Sequence, residues 1–419
     1  MTANRPVGGT RCSSPTLDTP LELRSGVVLA NRIAKAAMEE QLATPSGHPD
    51  ERLARLYRTW DGSGAGLLLT GHVMIDRTAV AEPADVILDS RSDLEPFTAW
   101  SRAATNASLW MQINHPGRVV QRDTGSRALA PSAVPVELGG LSRLFPTPIP
   151  MDADDIHEVI ERFAITAQLA ERAGFAGVEI HAAHGYLLAQ FLSPRVNKRS
   201  DQWGGSLKNR ARLLLEVIGA VRARVSPRFG VAVKLNSADF QRGGFDVDDA
   251  HRVIEWVSDL VDFVEISGGS VESLATAGHP ADERTLEREA YFLNLSAELA
   301  EAATVPLMLT GGIRRGSVAQ SVLDRGFSLA GAATALAWHP RAPRAWVVGD
   351  DTPVAPVRTI ARGKALRATA IQASTAGRIR HLGKPGLLPT PSPLAAVAID
   401  QYLRRRAIRA RNSSRSPSP

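Results

Sequence analysis

Two histidines and a tyrosine fall within six positions of the chain, as His181, His184 and Tyr186 in HAAHGY. Imidazole N–H groups so spaced can donate hydrogen bonds to a carbonyl oxygen and stabilise negative charge that develops on it. A phenol beside them can deliver a proton. The same His-x-x-His spacing can instead hold a metal, with Glu179 as the candidate carboxylate. Lys234, inside the apolar run VAVKLN, offers either a Schiff-base amine or a fixed cation. Gln112 and Tyr186, each taken alone, read as buried groups with satisfied hydrogen bonds. Asn197, Arg199, Asp201, Asn209 and Arg210 read as residues that pin a long loop.

Elements of alternating type must bring these side chains together. Strand-like apolar runs occur at 32–38, 66–71, 108–114, 177–181, 228–236, 262–267, 305–312 and 327–334. Helix-like runs lie between or after them at 51–62, 93–106, 152–174, 206–225, 246–260, 291–303 and 317–324. The first shows helical spacing at Leu53, Leu56, Tyr57 and Trp60, and the third ends at Gly174. Continuous apolar strands are those buried on both faces, and strand–helix alternation implies parallel pairing through right-handed crossovers. Eight such units predict an α/β fold, a (β/α)8 TIM barrel with an N-terminal hairpin over 21–32 and a C-terminal extension. No GxGxxG follows the first strand, against a doubly wound dinucleotide-binding sheet.

In such a barrel, chemistry sits at the C-terminal strand ends. These are Ala37-Met38-Glu39, Thr70-Gly71-His72, Gln112 to His115, His181 to His184, Lys234, Ser267-Gly268-Gly269, Gly311-Gly312 and Ala333-Thr334. Polar groups and glycines therefore share one rim.

The 419 residues are 44% hydrophobic and 22% charged, with 34 glycines and 27 prolines, which excludes collagen-like, coiled-coil and mainly disordered classes. No run approaches the roughly 18 apolar residues of a membrane span, and the first residues lack a signal-peptide core, so a cytoplasmic location is expected. One cysteine, Cys12, excludes an intramolecular disulfide and a cysteine-ligated iron–sulfur cluster. The net charge is +6, and Arg404, Arg405, Arg406, Arg409, Arg411 and Arg415 account for all of it. A solvated terminus is the favoured reading of that tail over nucleic-acid contact. The expected organisation is a flexible arm at 1–20, a barrel at 21–349, an extension at 350–403 that packs back on the barrel or joins a partner such as a second copy, and a disordered basic tail at 404–419.

The segment 181–212 reads H-x-x-H-G-Y-L-x-x-Q-F-L-S-P, then N-x-R-x-D, then G-G-S-x-x-N-R-x-R, and so resembles the old yellow enzyme family of FMN-dependent oxidoreductases. NRIAKAAM (31–38), MQINHPGR (111–118), VKLNSADF (233–240), LTGGIR (309–314) and GAATALAWHP (331–340) follow in family order, so the resemblance spans roughly 20–345. It implies a (β/α)8 barrel that binds FMN and takes hydride from NADPH or NADH as a transient donor. It further implies that Ala37, Met38, Glu39 and Gly71 lie along the isoalloxazine and that Gln112 bonds its pyrimidine edge. Lys234 would stand beside N1 and O2, and Gly311, Gly312, Ala333 and Thr334 would meet the phosphate. His181 and His184 would hold the oxygen of an activated alkene while Tyr186 protonates one of its carbons. No resident metal is expected.

Three departures stand out. Glu39 replaces the usual Thr or Cys and is expected to be protonated or turned towards Lys35, lowering the flavin potential. Lys234 stands where many relatives carry Arg, which keeps the charge but loses the bidentate fork. Ala333-Thr334 replaces a Gly-Arg pair, with Arg314 as the compensating cation. The function expected is an NAD(P)H-dependent ene-reductase. Alternatives are a flavin-dependent demethylase or dienoate/steroid-modifying relative, a metal- or Schiff-base-dependent barrel lyase, and a non-catalytic flavoprotein.

Overall fold

A computed structural model describes residues 14–269, 272, 293–361, 363–384 and 392–415. Eight parallel strands run β1 (Ile33–Lys35), β2 (Leu67–Leu69), β3 (Ser108–Asn114), β4 (Gly177–Ala182), β5 (Gly230–Asn236), β6 (Phe263–Ser267), β7 (Leu307–Thr310) and β8 (Leu329–Ala332). Each pairs with the next, and β8 pairs back to β1 through Gly331 and Ala34, so the barrel closes. The expected strand count and order are therefore observed, with shorter β1, β2, β7 and β8 than the apolar runs suggest.

Helices α1 (Glu51–Asp61), α2 (Glu95–Ser101), α3 (Ala153–Arg172), α4 (Leu187–Leu192), α5 (Leu207–Arg224), α6 (Val247–Val257), α7 (Leu293–Ala302) and α8 (Gly316–Asp324) follow the strands. Caps start them: the Asp152 carboxylate accepts from the Asp155 N–H in a reciprocal capping box, and the Ser206 hydroxyl accepts from Asn209. The helix expected over 93–106 is confined to α2, because the N–H groups of Asn106 and Ala107 donate to the Asp61 carboxylate, 2.9 Å away in each case. Two short strands, Val73–Met74 and Val86–Ile87, extend the sheet beside β3 and were not foreseen.

The hairpin Leu21–Glu22 with Val28–Leu29 forms as expected, and its Leu21, Leu23 and Leu29 pack with the inward side chains Ala34, Leu67, Trp110, Ala232, Phe263, Met308 and Leu329. This is an apolar floor. Two positions further along the strands the same face turns polar: Trp110 gives way to Gln112, Ala232 to Lys234 and Phe263 to Glu265. The period-two geometry thus stacks a buried polar layer on an apolar one.

The C-terminal extension packs back on the barrel. After α9 (Thr334–Trp338) and α10 (Ala342–Val347), α11 (Lys364–Leu382) lies against α1 and α9, with Arg378 donating to the Ala337 carbonyl. The final helix α12 (Pro393–Arg415) corrects the sequence reading, which placed a disordered tail from 404. Arg404 pairs there with Asp123 at 2.6 Å and with Glu82 at 2.9 Å, and Arg411 donates to the Arg77 carbonyl at 2.8 Å. Arg404, expected in solvent, thus finds acids on two barrel loops, while Arg405, Arg406 and Arg409 are exposed. The expected N-terminal arm lies mostly outside the described residues, as do Cys12, residues 416–419 and, apart from Glu272, residues 270–292. Among the described residues no helix is long and apolar enough to cross a membrane.

Candidate active site

Asn197, Arg199, Asp201 and Arg210 pin the loop as expected, with Asp201 accepting from Arg199 and the Trp203 N–H, whereas among the described residues the Asn209 side chain meets only Arg212 of its own helix. Asn197 donates to the carbonyls of Phe191 and Trp203, both at 2.8 Å. Arg199 reaches the Pro131 and Met151 carbonyls, and Arg210 bonds Leu192, Gly205 and Asp249. That network holds the segment after β4, which carries the ring cluster.

His181, the last residue but one of β4, lies opposite Lys234 of β5, and its Nδ1 accepts from the Ala183 N–H at 3.2 Å. A neutral imidazole so bonded carries its proton on Nε2 and is a donor there. His184 has a left-handed backbone, φ 61°, held by its N–H to Asn236 Oδ1 at 3.2 Å, and its Nε2 lies 2.9 Å from Ser267 Oγ. The His181 ring centroid is 5.0 Å from those of both His184 and Tyr186, edge to face. Burial, with Lys234 and a neighbouring imidazole adding to it, pushes both histidines well below the usual imidazole range, so they are neutral. Burial first, then Glu39, Asp85 and Glu82, pushes the Tyr186 phenol well above 10, so it keeps its proton.

Beneath this cluster lies the polar layer. Gln112 Nε2 donates to Glu179 Oε2 at 2.6 Å, and Lys234 Nζ to Glu265 Oε1 at 2.6 Å. Gln112 and Glu179 sit in register across β3 and β4, Lys234 and Glu265 across β5 and β6. Burial and the facing Glu265 push the Glu179 carboxyl well above the carboxylate range. Glu179 is therefore a partner of Gln112, and among the described residues it joins no metal-binding group with His181 and His184.

The remaining predicted residues occupy the same rim. Ala37 and Met38 are half-buried after β1, tied to β8 by the Ala36 N–H to the Ala332 carbonyl at 3.0 Å. Gly71 is buried after β2, and a Cβ there would overlap Glu40 Oε2 and the Met38 carbonyl. Its smallness answers a close approach by its own chain. Gly311, φ 144°, and Gly312, φ 70°, end β7 in conformations suited to glycine. The Thr310–Gly331 register places them beside Ala333, which is half-buried, and Thr334, which is exposed.

Glu39 does not turn to Lys35. Gln41 Nε2 donates to it at 3.0 Å, and its other oxygen faces His72 Nε2 at 3.9 Å. Lys35 is fully buried between β1 and α1, bonded to the Leu69 carbonyl at 2.6 Å and to Tyr57 Oη at 3.2 Å, with Trp60 beneath its ammonium. Tyr57 in turn donates to Glu40, so Glu40 is the acid coupled to Lys35.

Glu265, Glu40, Asn236 and Asp85 were not singled out from the sequence, and His72 and Ser267 were named only as members of the rim, without a role. A signal existed for one: GVEIH and FVEIS each carry a carboxylate inside an otherwise apolar strand, a placement that demands an inward partner.

FMN chemistry can be tested against this arrangement. Lys234 uses one of three ammonium donors on Glu265, so two remain for an electron-rich ring edge. The inward layer also holds a carboxylate oxygen without a partner, Glu265 Oε2. Two glycines with positive φ lie at the end of β7, where backbone N–H groups can meet a phosphate. The residues fit the group, with less positive charge at the Ala333-Thr334 corner than an arginine would bring.

The comparisons agree with this geometry. The model of the NADH:flavin oxidoreductase / NADH oxidase family matches residues 16–333. The chain is 37% identical over 349 residues to the NADH-dependent flavin oxidoreductase iliE of Hypocrea jecorina, covering 78% of this chain and 87% of that protein. The morphinone reductase structure superposes with a TM-score of 0.66 at 26% identity, covering 83% of this chain and 93% of that one. A 2-naphthoyl-CoA reductase in complex with 2-naphthoyl-CoA shares the fold, with a TM-score of 0.78 at 22% identity over 88% of this chain and 58% of that one.

Proposed function

Because the chain belongs to the NADH:flavin oxidoreductase / NADH oxidase family and is a flavin-dependent oxidoreductase of the old yellow enzyme type, we propose that it reduces electron-poor alkenes such as enones, with NADH or NADPH as transient donor. The observation that carries this reading is the packing of two neutral imidazoles and a protonated phenol over the Gln112–Glu179 and Lys234–Glu265 layer.

Bound FMN supplies a ring that accepts a hydride from the nicotinamide and passes it to the alkene. Gln112 and Lys234 hold the pyrimidine side of that ring. The Lys234 ammonium stabilises electron density there, while its pairing with Glu265 limits the net charge of the layer. Gly311 and Gly312 present backbone N–H groups to the phosphate, and Ala333 and Thr334 border it. Ala37, Met38 and Gly71 form a flush wall. His181 donates through Nε2–H to the substrate oxygen and polarises the alkene. His184, anchored on Ser267 and Asn236, sets the neighbouring wall and shares that oxygen. Tyr186 Oη gives its proton to the alkene carbon away from the hydride. Neutral imidazoles suit this role, because a protonated pair beside Lys234 would repel it.

The test is reduction of the FMN-loaded protein by each nicotinamide, followed by reoxidation with enones. Bleaching by NADH or NADPH and enone-dependent recovery of colour are expected. Absence of FMN uptake would refute the reading.

A further inference from the structure

We propose that Glu39, His72 and Asp85 form a binding site for a divalent transition-metal cation of the zinc or manganese type, at the rim of the barrel mouth. The three come from separate segments: the loop after β1, the residue after Gly71, and the excursion between Val73–Met74 and Val86–Ile87. His72 Nε2 lies 3.7 Å from Asp85 Oδ1 and 3.9 Å from Glu39 Oε2, and the three ligand atoms all fall within 4.8 Å of one another. A cation with bonds of about 2.0–2.2 Å sets tetrahedral ligand atoms roughly 3.3 Å apart, so a small inward movement closes the shell.

The observation that points to a ligand is the pair of unsatisfied atoms. The side chains of His72 and Asp85 are 5% and 1% exposed, yet His72 Nε2 and Asp85 Oδ1 have no hydrogen-bond partner. Buried polar atoms left so are costly, and a cation removes the cost for both. Glu39 is 24% exposed and supplies the second carboxylate. Burial opposes protonation of His72, but Asp85 and Glu39 push its imidazole up from 6.5 to about 9, so a cation takes the place of its proton. The two carboxylates then balance the divalent ion, a set that suits zinc, manganese or iron.

An outer shell is already in place. Gln41 Nε2 holds the Glu39 oxygen facing away from the cluster at 3.0 Å, and the Glu82 N–H holds Asp85 Oδ2 at 2.8 Å, so one oxygen of each carboxylate stays turned to His72. On the far side of the imidazole, Asn114 Nδ2 lies 3.3 Å from His72 Nδ1, while Asn114 Oδ1 has no partner. Rotating that amide by half a turn lets Oδ1 accept from Nδ1–H, which fixes the tautomer that leaves the Nε2 lone pair free. Three protein ligands leave coordination positions open for water or an anionic substrate oxygen. The His72 ring is 5.4 Å from the Tyr186 ring, so such an oxygen would be held beside the phenol. Binding of the cation does not depend on the flavin reading.

The decisive experiment titrates the purified full-length protein with zinc chloride by isothermal calorimetry. About one equivalent should bind in the native chain and in Cys12→Ser, which removes the thiol competitor. His72→Asn and Asp85→Asn should each weaken that event about tenfold or more. Unchanged binding in His72→Asn, or none in the native chain, overturns the proposal. Zinc-edge anomalous diffraction gives an independent answer that needs no variant. A peak in bonding range of His72 Nε2 and Asp85 Oδ1 supports the site, and a zinc-soaked crystal with no peak there contradicts it.

Discussion

Lys234 Nζ and Glu265 Oε1 are 2.6 Å apart across β5 and β6, with their side chains 4% and 0% exposed. The pair fixes the charge of the polar layer on which the site is built. Removing one partner leaves the other buried without compensation, which costs about 3–5 kcal/mol. Lys234→Met should be destabilised by about that much, and Lys234→Met/Glu265→Gln should recover most of it. Urea unfolding of the two variants is the check. A single variant as stable as the native chain would mean the layer holds its charge in another way.

Gly71 predicts a steric effect. A Cβ there meets Glu40 Oε2, whose companion oxygen accepts the Gly71 N–H at 2.8 Å and the Tyr57 hydroxyl. Glu40 cannot withdraw without breaking those bonds, and the Met38 carbonyl is backbone, so Gly71→Ala should cost about 1–3 kcal/mol. A Cβ at Gly140 has nothing within 4 Å, so Gly140→Ala should shift the melting temperature little. Equal shifts for the two variants would refute the argument.

His115 predicts a pH dependence. It is 1% exposed, its Nδ1 accepts from the Gly117 N–H at 3.0 Å, and burial pushes it down from 6.5 to about 4. A folded-state value below the unfolded one gives stability that is fully present above pH 6.5 and lost as pH falls through 4. The loss amounts to roughly 3 kcal/mol at one pKa unit per 1.36 kcal/mol. His115→Gln should flatten the stability–pH curve between those limits. Parallel curves for variant and native chain would exclude His115 as the source.

The terminal helix predicts a local effect. Arg404, 9% exposed, joins Asp123 and Glu82 on two barrel loops. Arg404→Ala should cost about 1.5–3 kcal/mol of docking energy and speed amide exchange over 393–415 without slowing flavin reduction. Unchanged exchange would place the anchor elsewhere.

What the sequence made legible followed from period and composition. Continuous apolar strands alternating with capped helices specify the barrel, and the rim residues Gln112, His181, His184, Tyr186 and Lys234 follow from strand ends. Residues whose role depends on packing across elements were not legible. Lys35 looks like any strand lysine until α1 brings Tyr57 and Trp60 against it. Arg404 looks like tail charge until Asp123, 281 positions away in sequence, meets it. Glu39, His72 and Asp85 lie on three loops whose approach no local pattern encodes.

The central claim is that Tyr186 protonates the alkene while the layer below serves the flavin, so the two half-reactions should separate. The direct measurement is anaerobic stopped-flow of Tyr186→Phe, first against NADH or NADPH and then against an enone. Flavin reduction should stay close to the native rate, while enone-driven reoxidation should fall by about 10²–10⁴-fold. Reoxidation at the native rate, or an equal loss in both half-reactions, would contradict it.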